Sequence, residues 1–212
     1  MSLDIGIIKL AKGDRLFRSL AEIIILNSCL YYSIVSVRNG KPPAIIPKRG
    51  FFCPSNQYDF CFKLPIHGPV ECLVRNIDPV DLTISAECYD QNNDVDEYKV
   101  EVGELLMNIV SPIFSNYVER QTDWMNEKYS KNTNQWPSSL MNFARVIRNA
   151  VVHHGEICFR SPNSKGVSWR SLAYSPEDNG RKIYSEDMKI GDFIGLMLEI
   201  DIEMKKLGAP VL

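Results

Sequence analysis

Apolar residues recur at three- and four-residue steps in four separate stretches of this chain. That spacing places them on one face of an α-helix, so each stretch predicts an amphipathic helix. The third helix has the clearest bounds, because Pro137 suits a first helical position and Gly155 suits the left-handed residue after the last turn. Four such helices predict a mainly α fold. They cover the first 38 residues, Glu104 to Val118, Pro137 to His154, and Ile190 to Leu207.

The stretch from 44 to 102 interrupts the helical period. Prolines divide it into short runs, and the residues from Leu82 to Cys88 alternate between apolar and polar, which is typical of a strand. Further on, Asn179-Gly180 lies between apolar runs and predicts a β-hairpin before the last helix, since both turn residues need positive φ. The sequence therefore predicts a single domain over residues 1–212, with a β-rich insertion over 44–102 after the first helix.

Composition and charge exclude several broad classes of protein. The chain has 212 residues, of which 45% are apolar, and this is enough for one sizeable core. A net charge of −2 excludes a uniformly basic nucleic-acid coat, so any site for a polyanion has to be local. The uncharged core of the first helix, Ile23 to Val37, has 15 residues, fewer than the roughly 20 that a bilayer span needs. We therefore expect no membrane anchor and a cytoplasmic protein.

Sequence motifs for the common enzyme classes and metal sites are absent from the chain. There is no phosphate-binding Gly-rich loop, dinucleotide fingerprint, serine elbow or zinc-protease histidine pair. The six cysteines lack the paired two-residue spacing of a zinc knuckle, so free thiols are expected. An acidic run from Asp90 to Glu101 partly matches a calcium loop. Because Val95 stands where that loop needs glycine, a solvated acidic turn is the favoured interpretation.

One face of the third helix carries an unusual row of polar side chains. Arg145, Asn149 and His153 are spaced by four residues, and Arg148 flanks the row. A solvated face usually carries Glu and Lys, so this composition indicates that something covers it. A second copy of the same helix is the simplest cover, and it would bring two Arg148 and two His153 side chains into one cleft. The core-facing stripe lies opposite and consists of Leu140, Ala144, Ile147 and Val151.

Positive charge is concentrated in the same part of the chain. The segment from Arg145 to Lys182 contains seven basic and three acidic residues, a net charge of +4. The rest of the chain therefore carries −6 against a total of −2. This local excess is a plausible footprint for a phosphate backbone.

The residues of this helix resemble a known family motif. Arg148, the polar Asn149, three further residues and then His153, near a helix end marked by Gly155, are similar to the motif of HEPN domains. The following stretch, with Trp169, a hairpin turn and a terminal amphipathic helix, also resembles prokaryotic members of that family. The likeness covers roughly residues 135–207. It implies a HEPN-like four-helix bundle and a metal-independent endoribonuclease that acts on RNA as a homodimer, without a cofactor.

The resemblance also implies a reaction and a role for each residue. The RNA 2′-hydroxyl would attack the adjacent phosphorus and leave a 2′,3′-cyclic phosphate. Arg148 would bind the phosphate oxygens, His153 would transfer a proton, and Asn149 would orient the imidazole or the phosphate. The helical face favours His153 over His154 as the catalytic histidine, with His154 kept as an alternative. The residues assigned to substrate binding are Arg145, His154 and Arg170.

Three functional hypotheses follow from these observations. The first is an RNA-cutting protein, a toxin or defence effector held in check by an antitoxin or another regulatory protein. The second is a catalytically inactive HEPN-like module that binds a nucleotide or a protein. The third, a metal site, is disfavoured because adjacent histidines on a helix project about 100° apart. Its ligands would be His153, His154, Glu156 and Cys158.

Overall fold

The structure is a computed structural model and describes residues 6–39, 51–65, 71–72, 75, 77, 79–88, 103–129, 136–184 and 186–210. The acidic run from Asp90 to Glu101 lies outside the described residues. The helices are α1 (Phe17–Asn39), α2 (Gly103–Tyr129), α3 (Ser139–Val152) and α4 (Ile190–Lys206). The strands are β1 (Gly6–Ala11), β2 (Phe51–Cys53), β3 (Cys61–Leu64), β4 (Asp81–Glu87), β5 (Val167–Trp169) and β6 (Leu172–Tyr174).

The first four strands form one antiparallel sheet with the order β1-β4-β3-β2. Leu10 of β1 pairs with Leu82 of β4, and Phe62 of β3 pairs with Ala86 of β4. α1 contacts β4 and α4 contacts β3. The buried side chains of sheet and helices belong to a single apolar cluster. The protein is therefore a mixed α/β fold, and the prediction of a mainly α four-helix bundle is wrong.

The N-terminal strand explains this error. The prediction placed the first 38 residues in one helix, but Gly6–Ala11 is a strand and α1 begins at Phe17. Leu10 is buried and Ile8 packs against the core, whereas Ile7 and Lys9 are exposed, so this segment has the two-residue period of a strand. Because β1 pairs with β4, the sheet also extends beyond the stretch from 44 to 102.

Helices α2 and α4 organise the helical layer. α2 contacts each of α1, α3 and α4, and the rings of Phe114 and Phe193 meet edge to face at 5.1 Å. α4 is buried on several sides and carries glycines at 191 and 195. A Cβ atom on Gly191 would come within 2.6 Å of the carbonyl oxygen of Cys53, and one on Gly195 would collide with the ring of Tyr58. The small residues therefore let the segment after β2 lie directly on α4.

A buried carboxylate fixes that segment to the helix. Asp192 is fully buried and accepts hydrogen bonds from the Ser55 hydroxyl and the backbone N–H groups of Asn56, Gln57 and Lys189. The Lys189 N–H is one of the unpaired donors at the start of α4, so Asp192 also caps its own helix. Charge-assisted hydrogen bonds to backbone N–H groups offset the cost of burying the carboxylate.

The hairpin before the last helix has its turn at Arg170 and Ser171, where Arg170 adopts φ 51°. The prediction placed the turn at Asn179-Gly180, and this prediction is wrong. Asn179 has φ −56°, whereas the predicted hairpin turn needs positive φ at both residues. Its side chain instead accepts a hydrogen bond from the backbone N–H of Phe159 at 2.7 Å. The Asn-Gly pair therefore ends a short 3-10 turn, Pro176–Asp178.

Two further properties concern the described residues and the cysteines. Among the described residues, no helix is long and apolar enough to cross a bilayer. All six cysteines lie in the described part of the chain, and all six are free thiols, as the sequence predicted.

Candidate functional site

Helix α3 begins and is oriented through local polar contacts. Ser138 is its N-cap, and the Ser138 hydroxyl accepts a hydrogen bond from the backbone N–H of Met141 at 3.3 Å. The helix therefore starts at Ser139, two residues after the predicted Pro137. The Ser138 hydroxyl satisfies a backbone N–H of the first turn, and a proline side chain has no acceptor that could do this. Asn142 is hydrogen-bonded to both the backbone N–H and the carbonyl of Trp136, at 2.9 and 2.8 Å. These bonds hold Trp136 beside the first turns of α3.

A groove of about 800 Å³ runs along the polar face of α3. Its walls come from four parts of the chain: α2, Trp136 just before α3, α3 itself and the segment 158–167. Val146 lies in this groove and is buried, whereas Val152 at the helix end is exposed. The same chain therefore supplies part of the cover that the sequence predicted for this face.

The groove is positively charged. Among the described residues that line it, the basic ones are Arg145 and Arg148 of α3 and Arg160 and Lys165 of the segment 158–167. The acidic residue among them is Glu119 of α2. Four cations against one carboxylate give a net charge of +3. A concave surface with this excess raises the local concentration of anions.

Arg148 is held between α2 and its own neighbour in the chain. One terminal nitrogen, Nη2, forms an ion pair with Glu119 Oε2. The other, Nη1, donates to Asn149 Oδ1 at 3.3 Å. Its Nε is buried and has no hydrogen-bond partner among the described residues. A buried donor without a partner carries a desolvation penalty.

Arg145 and Trp136 also line the groove and contact each other. The Arg145 guanidinium carbon lies 5.1 Å from the centre of the Trp136 ring, within the range of a cation–π contact. Burial lowers the pKa of Arg145, although an arginine stays charged at neutral pH. Trp136 is only 4% exposed, and its Nε1 has no hydrogen-bond partner within the described part of the chain. The groove wall thus combines an aromatic ring with the guanidinium stacked on it.

Both histidines of the predicted site lie past the end of α3 and are exposed. His153 is the C-cap residue, and its backbone N–H donates to the carbonyls of Asn149 and Ala150 at 3.0 Å. His154 has φ 60° and Gly155 has φ 81°, so the chain reverses direction there. Neither imidazole belongs to the wall of the groove. His153 nevertheless follows Asn149 by four residues, one helical turn beyond the groove residues.

Arg170 is placed elsewhere by the structure. It lies at the hairpin turn, where its guanidinium pairs with Glu199 of α4 and its carbon lies 3.8 Å from the centre of the Tyr58 ring. Trp169 Nε1 donates to the same Glu199 carboxylate at 2.7 Å. Burial is the main cause that raises the pKa of Tyr58. These contacts join the hairpin, α4 and the segment after β2, and Arg170 does not line the groove.

Sequence analysis missed several residues that the groove brings together. Arg160 and Lys165 belong to the basic segment from Arg145 to Lys182. The sequence therefore indicated their charge but not that they line a groove beside α3. No sequence pattern distinguishes Glu119 from the other acidic residues. Only the packing of α2 against α3 places it beside Arg148. No sequence motif included Trp136, which lines the groove beside Arg145.

Comparisons with known proteins give no family for this chain. No protein-family model matches it, and searches of curated proteins and of solved structures find no match. Among the described residues there is no group of three or more His, Cys, Asp or Glu side chains that could hold a metal ion.

Proposed function

We propose that this protein is a metal-independent endoribonuclease of HEPN type that binds RNA in the groove beside α3. One observation carries the proposal: Arg148 and Asn149 of the motif both line a groove with a net charge of +3. The four basic side chains in that wall suit an anionic ligand with several phosphates.

The chemistry needs a phosphate-binding group and proton transfer. Arg148 would bind the non-bridging oxygens of the scissile phosphate and stabilise the charge that develops in the transition state. The 2′-oxygen loses its proton and bonds to phosphorus, while the bond to the 5′-oxygen breaks and that oxygen gains a proton. The products are a 2′,3′-cyclic phosphate and a 5′-hydroxyl. An imidazole exchanges protons near neutral pH, so His153 is the proposed proton carrier.

A homodimer completes this scheme. Each chain supplies one His153, yet the reaction needs one group that takes a proton and another that gives one. A twofold axis that brings two copies of α3 together would supply both imidazoles beside the two grooves. The exposed Val152, next to His153, is an apolar side chain suited to such a contact. That a regulatory protein such as an antitoxin binds this protein stays a prediction.

Cleavage of labelled single-stranded RNA in the presence of EDTA tests the proposal. We expect products with 2′,3′-cyclic phosphate ends, and a loss of at least about 100-fold in rate for Arg148→Ala and for His153→Ala. Arg18→Ala is the matched control, because Arg18 is exposed on α1, pairs with Glu22 one helical turn away and does not line the groove. Intact RNA with the unaltered protein, or full activity of Arg148→Ala, contradicts the proposal.

A second function is favoured by the position of the histidines. Because both imidazoles lie outside the groove wall, the groove can bind RNA or a nucleotide without cutting it. RNA that is bound but stays intact would identify this inactive binding module. Sedimentation at micromolar concentration adds a separate test, since a strict monomer is incompatible with two histidines shared across a dimer.

A further inference from the structure

The ion pair between Glu119 and Arg148 lies where the proposed substrate has to bind. Both residues line the groove, and the Glu119 carboxylate contacts the guanidinium that would bind a phosphate. The other terminal nitrogen of Arg148 is used by Asn149, and its Nε is buried. In the free protein, an acidic side chain from α2 therefore already occupies the charged end of Arg148.

Glu119 is well placed to leave this position. Its side chain is 51% exposed and that of Arg148 is 30% exposed, so the carboxylate is already partly hydrated and gains hydration when it moves further into water. Ion pairs with this exposure are weak and screened by salt. A phosphate that also contacts the other cations of the groove can replace the carboxylate on Arg148.

We propose that Glu119 is an internal anion that occupies Arg148 until a phosphate of the substrate displaces it, an inference that rests on the proposed function. The exchange favours a chain of phosphates over a single one. A lone phosphate exchanges one anion for another on Arg148, whereas a strand also contacts Arg160 and Lys165 and releases more counterions. The preferred ligand is therefore a single strand of several nucleotides rather than a mononucleotide.

The test measures binding of a fluorescent single-stranded 2′-O-methyl RNA, which lacks the attacking hydroxyl and stays intact. Glu119→Gln keeps a hydrogen-bonding side chain but removes the charge, so we expect about three- to ten-fold tighter binding at low salt. The gain should shrink as salt increases. Glu127→Gln is the matched control, because Glu127 is an exposed residue of the same helix outside the groove wall, and its affinity should stay unchanged.

An Arg148→Ala background shows whether the effect passes through Arg148. In this background, Glu119→Gln should increase the affinity for the 2′-O-methyl RNA no more than Glu127→Gln does. Equal affinity of Glu119→Gln and the unaltered protein, or a gain that persists without Arg148, overturns the inference. Thermal unfolding checks that each variant is folded, and Glu119→Ser provides a second uncharged variant.

Cleavage and binding together separate the two proposals. If the unaltered protein binds neither natural nor 2′-O-methyl RNA, the proposed function is wrong and this inference is wrong with it. If the protein binds and cuts RNA but Glu119→Gln lowers kcat without tightening binding, Glu119 takes part in the chemistry and only the displacement inference is wrong.

Discussion

At the scale of single residues, the turn after α3 depends on Gly155. This glycine has φ 81°, which L side chains rarely adopt, and a Cβ atom there would lie 2.6 Å from Cδ2 of the Tyr184 ring. Its backbone N–H donates to the carbonyl of Ala150 at 2.8 Å and closes the end of the helix. The position of His153 is therefore set by a turn that has no space for a side chain.

We expect Gly155→Ala to lower the free energy of unfolding by about 2–4 kcal/mol, since backbone strain and the collision with Tyr184 add together. Urea unfolding measures the change. Gly208→Ala is the control, because Gly208 also has positive φ, 76°, but no described atom lies within 4 Å of its Cβ position. It should cost only about 1 kcal/mol. Equal losses in the two variants would show that the contact with Tyr184 adds nothing.

At the scale of elements, the basic wall of the groove is held by backbone hydrogen bonds around the segment 156–184. The N–H of Ile157 donates to the carbonyl of Arg181, and the N–H of Gly180 donates to the carbonyl of Ile157, both at 2.9 Å. The short 3-10 turn before Gly180 carries Asp178, whose carboxylate accepts hydrogen bonds from the backbone N–H and the hydroxyl of Ser175. The backbone hydrogen bond is the main cause that lowers the pKa of Asp178.

We expect Asp178→Asn to destabilise the protein by about 0.5–1 kcal/mol at neutral pH, because a partly exposed cap is lost. A carboxyl with a lowered folded-state pKa adds stability above its unfolded pKa of about 3.9, and that stability is lost as pH falls through the lower folded-state pKa. Urea unfolding from about pH 2 to 7 should thus show the two proteins converge at acid pH. A constant difference over this range would contradict the assignment.

At the scale of the whole molecule, a buried ion pair joins the two ends of the described chain. Arg15, between β1 and α1, donates from Nη1 to Asp201 Oδ1 of α4 at 3.2 Å, and both side chains are almost fully buried. Its Nη2 donates to the carbonyls of Ala209 and Pro210, at 2.8 and 2.7 Å. The start of the helical layer is thus tied to the residues that follow the last helix.

We expect Arg15→Met to cost about 3 kcal/mol, because it leaves Asp201 with the more exposed Lys205 as its ion-pair partner. Arg18→Met, which removes an exposed ion pair of α1, should cost less than about 1 kcal/mol. In the double variant Arg15→Met/Asp201→Leu, most of the loss should be recovered, since no unpaired charge stays buried. Equal costs for Arg15→Met and Arg18→Met in urea unfolding would rule out this role.

The sequence determined much of the local structure by itself. The period of apolar residues located α3 and α4 to within two residues, and the alternation in β4 identified a strand, because both patterns arise from neighbours along the chain. The positive φ of Gly155 was likewise predicted from its position after a helix. The short strand β1 was missed, since its few residues precede a long helical pattern.

Only the tertiary structure decided how these elements meet. The sheet order β1-β4-β3-β2 joins strands far apart in sequence, and no local pattern encodes such a pairing. The same is true of the groove: Arg145, Arg148 and Asn149 share a helix face by period alone, but Glu119 reaches Arg148 only because α2 packs on α3. Arg170, predicted to bind substrate, is instead paired with Glu199. Charge and spacing determine what a side chain can bind, whereas packing determines which partner it contacts.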